Sequence, residues 1–285
     1  MRTVVTAIAV AALLGGCLAR GTSSPVRFLT ATPGTALDID ATLVRPRADG
    51  RYPALVQLHG CGGVEAQSYR WASWFADHGY VALVVDSFGP RGVQGDCRTG
   101  PDEPPVTARF DDAIGALRYL QSQTFVDGAR VAAIGWSQGG VYALSVVNGP
   151  SLARARARGV DLPATGFAAA IAVYPGGCAS LTKEQVIRPV LVLIGGADDW
   201  TPAATCVQMV DAMKAKGADI SIKVYPGAYH YFDVEGQRQE VLGQVENALK
   251  PGGYGATVSY QEAAAVDAHR EIEAFLARYL GSGAR

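Results

Sequence analysis

Ser137 stands at the centre of Gly135-Trp136-Ser137-Gln138-Gly139, after the apolar run Val131-Ala132-Ala133-Ile134 and before a helix-compatible run from Gly140 to Val147. A strand that turns sharply into a helix through small residues leaves such a serine on a strained corner, its hydroxyl exposed above the sheet edge. The flanking glycines suit that corner, because a β-carbon at either place would meet crowded backbone. A serine hydroxyl is a poor nucleophile at neutral pH and needs a base, held in the right tautomer by a third group. The histidines are His59, His78, His230 and His269. Where a serine sits on such a corner, the order along the chain is serine, acid, histidine. His59 and His78 precede the corner, and His269 reads as a surface residue in a helix. His230 is therefore the candidate base, in the loop Tyr225-Pro226-Gly227-Ala228-Tyr229-His230-Tyr231-Phe232-Asp233.

The acid belongs between them, where Gly195-Gly196-Ala197-Asp198-Asp199-Trp200-Thr201-Pro202 follows an apolar run. Spacing alone leaves Asp198 and Asp199 equivalent: one faces His230 and the other caps the helix opening near Pro202. Asp86, before the serine, reads as a structural loop anchor. Attack on an ester carbonyl builds an oxyanion, which two fixed amide donors stabilise. The amide of Gln138 is one candidate, and the amide of Cys61, in the glycine-dense loop His59-Gly60-Cys61-Gly62-Gly63, is the other. Chemistry of this kind asks for no metal or organic cofactor.

These residues need a scaffold that gathers them on one edge. Extended segments at residues 26–30 and 37–44 suggest an antiparallel start to a sheet. Apolar runs at 53–58, 80–85, 131–134, 168–174, 189–194 and 220–225 then alternate with helical patterns, including one with Trp71, Trp74 and Phe75 and one with Phe110, Ala113, Ile114, Leu117 and Leu120. The last helix spans residues 262–280. Strand–helix alternation predicts an α/β fold with a mostly parallel central sheet and helices on both faces, functional groups collecting at the strands' carboxyl ends. Residues 249–257 read as linker, Arg154, Arg156 and Arg158 as a solvated face, and the breaker-rich stretch 89–105 as irregular surface or a lid.

At 285 residues and 49% hydrophobic content, the chain suits one large domain, residues 26–285. A formal charge of -1 without a basic field argues against nucleic-acid binding. Residues 1–16 read as a signal peptide, and Leu14-Gly15-Gly16-Cys17 resembles a lipobox that would lipidate Cys17. Residues 17–25 are the expected tether. The expected location is the bacterial cell envelope, in the periplasm, with membrane contact only through the lipid anchor; the alternative is a secreted soluble protein. Cys61, Cys97, Cys178 and Cys206 then remain for two disulfides in an oxidising compartment. Three pairings are possible, and pairing of neighbouring loops favours Cys61 with Cys97 and Cys178 with Cys206.

From about residue 50 to 280 the chain resembles the dienelactone hydrolase family of the α/β-hydrolase fold, in its exported bacterial members. The likeness lies in the His59–Gly63 loop, Asp86-Ser87-Phe88, the serine corner, Tyr174-Pro175, the acid loop and Tyr225 to Phe232. The family's Gly-x-x-Asp-x-x-x-Pro pattern selects Asp198, with Pro202 as the proline. The resemblance implies a serine hydrolase acting on a small-molecule ester or lactone, with Ser137, Asp198 and His230 catalytic. Two departures stand out. The lactone-cleaving members carry cysteine where Ser137 stands, and an arginine four residues past the histidine where this chain has Val234. Dienelactone itself is thus not implied as substrate. The competing readings are a peptidase or polyester depolymerase, and a non-catalytic envelope lipoprotein that binds a small molecule.

Overall fold

The computed structural model describes residues 21–95, 97 and 106–281. Eight strands, β1 (Thr22–Leu29), β2 (Asp38–Arg45), β3 (Tyr52–Leu58), β4 (Val81–Asp86), β5 (Val126–Trp136), β6 (Ala169–Val173), β7 (Val190–Gly195) and β8 (Ile220–Tyr225), form one sheet in the order β1-β2-β4-β3-β5-β6-β7-β8. β2 pairs antiparallel with β1 and β4, and every pairing from β4 through β8 is parallel. Every residue of β3, β6 and β7 is buried, so both faces of the sheet centre are covered, which is why these strands read as unbroken apolar runs.

The helices are α1 (Ala66–Asp77), α2 (Val106–Ser122), α3 (Gln138–Ser145), α4 (Gly149–Ala157), α5 (Cys178–Leu181), α6 (Ala203–Lys214) and α7 (Glu262–Tyr279). α1 buries Trp71, Ala72, Phe75 and Ala76, a single stripe at helical spacing. α2 buries Phe110, Ala113, Ile114, Leu117 and Leu120, the stripe its sequence predicts. Arg154, Arg156 and Arg158 of the α4 region are exposed; Arg154 pairs with Glu184 at 2.9 Å and Arg158 with Asp111 at 2.7 Å.

Two segments differ from the sequence reading. The tether expected through residue 25 ends sooner: Thr22 to Pro25 already pair with Arg45 to Thr42 as the first half of β1. These residues are exposed on an edge strand, where polar side chains and a proline are tolerated, so nothing in their composition marks a strand. The stretch expected as linker holds β10 (Tyr254–Val258), paired antiparallel with β9 (Glu240–Glu246) as a separate hairpin. Gly252, Gly253 and Gly255 sit at positive φ around its turn and bulge, and their density is what reads as linker.

Cys61 bonds to Cys97 and Cys178 to Cys206, the favoured pairing. Residues 96 and 98–105, the signal segment and Cys17 lie outside the described residues. Among the described residues no helix is long and apolar enough to cross a membrane.

Candidate active site

β5 delivers Ser137 to the carboxyl edge of the sheet, and α3 begins at the next residue. Ser137 has φ 53° and ψ -117°, a region that side chains rarely adopt. Its amide donates to the carbonyl of Val173 at the end of β6 (2.9 Å), which fixes the corner against the neighbouring strand. The crowding inferred at the glycines is real. A β-carbon on Gly135 would strike the carbonyl of Gly139, and one on Gly139 would strike the carbonyls of Leu58 and His59. Four non-glycine residues among those described have positive φ: Cys97, Ser137, Tyr174 and Tyr231. All four border this site, where strain is held by surrounding packing.

β7 ends in the acid loop and β8 leads to the histidine loop, so adjacent parallel strands bring Asp198 and His230 together. His230 Nδ1 lies 2.8 Å from Asp198 Oδ2, and both side chains are fully buried. The Thr201 hydroxyl donates to the same carboxylate oxygen at 2.8 Å, while the amides of Trp200 and Thr201 donate to Oδ1. Burial pushes the Asp198 carboxyl up, but His230 and these hydrogen bonds outweigh it and hold the group below its ordinary value. A carboxylate on Nδ1 fixes the tautomer that leaves Nε2 able to accept a proton. That Nε2 is buried and has no hydrogen-bond partner. The ring is packed between Tyr174 and Trp200, at 4.4 and 4.9 Å between centroids. Tyr174 follows Val173, the residue that anchors Ser137, so serine and imidazole share one edge of the sheet.

Asp199 does not cap α6. It accepts from the amide and hydroxyl of Thr257, both at 2.8 Å, and pairs with Lys250 at 2.7 Å, tying the β9–β10 hairpin to the acid loop. Pro202 takes the cap position instead, with no side-chain cap hydrogen bond. Asp86 is the loop anchor expected, accepting from the amides of Phe88 and Gly89.

A second buried carboxylate beside His230 was not singled out from the sequence. Asp233, three residues past His230, accepts from Gln67, Trp71 and Trp136 through Oδ2 and from the Tyr174 hydroxyl through Oδ1, at 2.6 to 3.0 Å. It joins α1, the ends of β5 and β6, and the histidine loop. Burial and the Asp233 charge push the Tyr174 hydroxyl up, so it stays a donor. The available signal was a lone acid in an otherwise aromatic loop. His269 is also corrected: it is half-buried and stacks on Trp71 at 4.1 Å, because α7 packs that turn onto α1.

On the other side of Ser137, the Ser87 amide donates to His59 Nε2 (3.2 Å), which places the ring proton on Nδ1, 2.6 Å from the carbonyl of Gly60. Burial, reinforced by the Arg109 charge and opposed by the Gly60 carbonyl, holds this imidazole well below its ordinary value, so it is neutral. Arg109 is buried and donates to the carbonyl of His59 and to the side-chain oxygen of Gln138. Its guanidinium lies over the rings of Phe88 and Tyr142 at 5.0 and 4.6 Å. Arg109 thus bridges the two segments carrying the Cys61 and Gln138 amides. The Cys61–Cys97 disulfide staples the first of these segments to the loop after β4.

Ser137, Gln138 and Cys61 line a cleft of about 1080 Å³, walled further by Trp200, Thr201 and hairpin residues Glu246 to Leu249. The hairpin contribution was not legible in the sequence. Among the described residues no cluster of three or more His, Cys, Asp or Glu side chains is placed to hold a metal ion. Ser137 and the residues carrying the two candidate amides line the cleft, and His230, in contact with the lining residues Trp200 and Thr201, is buried with one ring nitrogen unpartnered and a carboxylate on the other; these are the residue types that acyl transfer requires.

Residues 39–280 match the model of the Dienelactone hydrolase family. The chain is 23% identical over 206 residues to a probable 2-oxo-3-(5-oxofuran-2-ylidene)propanoate lactonase of Bradyrhizobium sp, covering 67% of this chain and 78% of that one. It is 23% identical over 234 residues to acylamino-acid-releasing enzyme 2 of Oryza sativa subsp. japonica, covering 70% of this chain but only 30% of that longer protein. In three dimensions it is similar to the crystal structure of a "Putative Dienelactone Hydrolase" from Klebsiella pneumoniae subsp. pneumoniae MGH 78578, with a TM-score of 0.65 and 20% identity over 90% of this chain and 100% of that chain. That likeness is one of fold.

Proposed function

Because the chain belongs to the dienelactone hydrolase family, we propose that it hydrolyses carboxylic ester or lactone bonds of small molecules through an acyl-serine intermediate. Ser137 Oγ attacks the carbonyl carbon while His230 Nε2 takes its proton. Asp198 orients the imidazole and stabilises the imidazolium. The amides of Gln138 and Cys61 receive the oxyanion. Collapse breaks the carbon–oxygen bond to the alcohol, which leaves with the proton from His230, and water then frees the acid by the same steps. The observation that carries this reading is the buried His230, held at Nδ1 by Asp198 with Nε2 unpartnered, on the edge where Ser137 sits.

Val234 stands where the lactone-cleaving members use an arginine, which favours substrates other than dienelactone. The two disulfides support an exported protein. We further propose cleavage ahead of Cys17 and lipidation of its sulfur, giving an envelope-anchored enzyme. The likeness to an acylamino-acid-releasing enzyme raises a second reading, a peptidase. Purified mature protein is expected to release 4-nitrophenol from 4-nitrophenyl acetate and to leave N-acetyl-alanine 4-nitroanilide intact; preference for the anilide would favour the peptidase. Ser137→Ala should lower kcat/KM for the ester by at least about 10⁵-fold with Tm unchanged. Activity retained in that variant would overturn the assignment.

A further inference from the structure

The cleft differs on its two sides of Ser137, and the chemistry assigns a substrate part to each. We propose that the side formed by Trp200, Pro202 and the β9–β10 hairpin is the subsite for the leaving alcohol, and that it selects an apolar, ring-sized alcohol. This rests on the acyl-serine reading and deepens it.

In the tetrahedral intermediate, the oxyanion points at the amides of Gln138 and Cys61. The alcohol oxygen must point at His230 Nε2, because the proton taken from Ser137 has to reach it as the carbon–oxygen bond breaks. The alcohol therefore extends along the wall beside the imidazole. That wall begins with Trp200, 4.9 Å from the His230 ring, and Thr201, whose hydroxyl is 3.3 Å from Nδ1. Pro202, Ala248 and Leu249 line the same cleft. Leu249 is 63% exposed, a large apolar side chain at the cleft mouth that a bound ring would cover.

The hairpin is not a loose flap. Trp200 Nε1 donates to the carbonyl of Glu246 (3.0 Å), and Asn247 Nδ2 donates to the carbonyls of Asp199 (2.9 Å) and Gly255 (2.8 Å). The buried Asn247 also accepts from the Leu249 amide (3.1 Å), fixing the turn that presents Leu249. Asp199 takes three further bonds from Thr257 and Lys250. Burial raises the Asp199 carboxyl, yet these partners outweigh it and hold the group below its ordinary value, so the tie is ionic at neutral pH. One loop thus holds the imidazole through Asp198 and the alcohol wall through Asp199. The far side is different in kind: Arg91 lines it, engaged by Asp112 and the carbonyl of Ser87, beside glycines and the Cys61–Cys97 disulfide. The acyl group lies toward that side.

The test compares two ester series in the wild type, Leu249→Ala, Leu249→Asp and the hairpin control Val241→Ala, whose residue is exposed and does not line the cleft. One series fixes acetate and varies the alcohol from methyl through cyclohexyl to 2-naphthyl; the other fixes methanol and varies the acyl group from acetate to hexanoate. Leu249→Ala should lower kcat/KM for 2-naphthyl acetate roughly five-fold relative to methyl acetate, since a leucine face is lost to the bound ring. Leu249→Asp should lower it further, and both variants should leave the acyl profile and the control unchanged. An altered acyl profile with an unchanged alcohol profile would reverse the two sides and overturn the proposal, as would no change in either. Failure of the wild type to hydrolyse any ester would overturn the acyl-serine reading itself.

Discussion

On one side of Ser137 the loop of His59 and Cys61 rests on the buried Arg109 guanidinium; on the other, His230 rests on the buried Asp198 carboxylate, with Asp233 beneath the neighbouring Tyr174. The proposed acyl transfer through Ser137 would develop negative charge on the first side and positive charge on the second. Fixed charges of the opposite sign already stand behind each, so little reorganisation is needed when the reaction charges appear. The two sides also differ in how they are held. A disulfide and a neutral imidazole stiffen the oxyanion side, whereas hydrogen bonds to carboxylates stiffen the histidine side.

That contrast can be broken from either side. Among the groups flanking Ser137, Asp198→Asn should have the largest effect, lowering kcat by about four orders of magnitude because the tautomer of His230 is no longer fixed; steady-state kinetics with circular dichroism separates this from unfolding. Asp233→Asn should act mainly on stability. A carboxamide cannot accept on both oxygens' former sites, so at least one buried donor loses its partner, at a cost of about 3 kcal/mol in urea unfolding and less than tenfold in kcat.

The pH dependence of stability should divide the two sides by window. Native His59 stays neutral, while the unfolded chain takes up a proton below the ordinary value of 6.5. Stability should therefore fall as pH drops below that value, by about 1.4 kcal/mol per unit, and His59→Gln should remove this slope. Asp198 acts lower. Its native value lies below 3.8, so its contribution is complete above that pH and is lost as pH falls through the native value. Urea midpoints between pH 7 and pH 2 for the two variants resolve both windows.

Much of the site was legible because its residues answer to local rules. The corner at Ser137 shows in two glycines that no other residue could replace, and the place of His230 follows from chain order. β3, β6 and β7 announce themselves by continuous burial. What stayed hidden depends on distant partners. By spacing alone Asp198 and Asp199 are alike; the family pattern points to Asp198, but the physical difference between them lies in what β8 and the hairpin bring to each. Asp233 meets Gln67 and Trp71 across more than 160 residues. The hairpin hid behind its glycines, and with it Leu249. The first half of β1, residues 22–25, hid because an edge strand facing water needs no apolar pattern.

The most direct test of the central claim is covalent. Incubation of the folded protein with an alkyl fluorophosphonate, followed by peptide mass spectrometry, should place a single phosphonyl adduct on Ser137, at a rate that falls sharply in His230→Ala. An unlabelled Ser137 in folded protein, or labelling at the same rate without His230, would contradict the account and favour a cleft that binds without cutting.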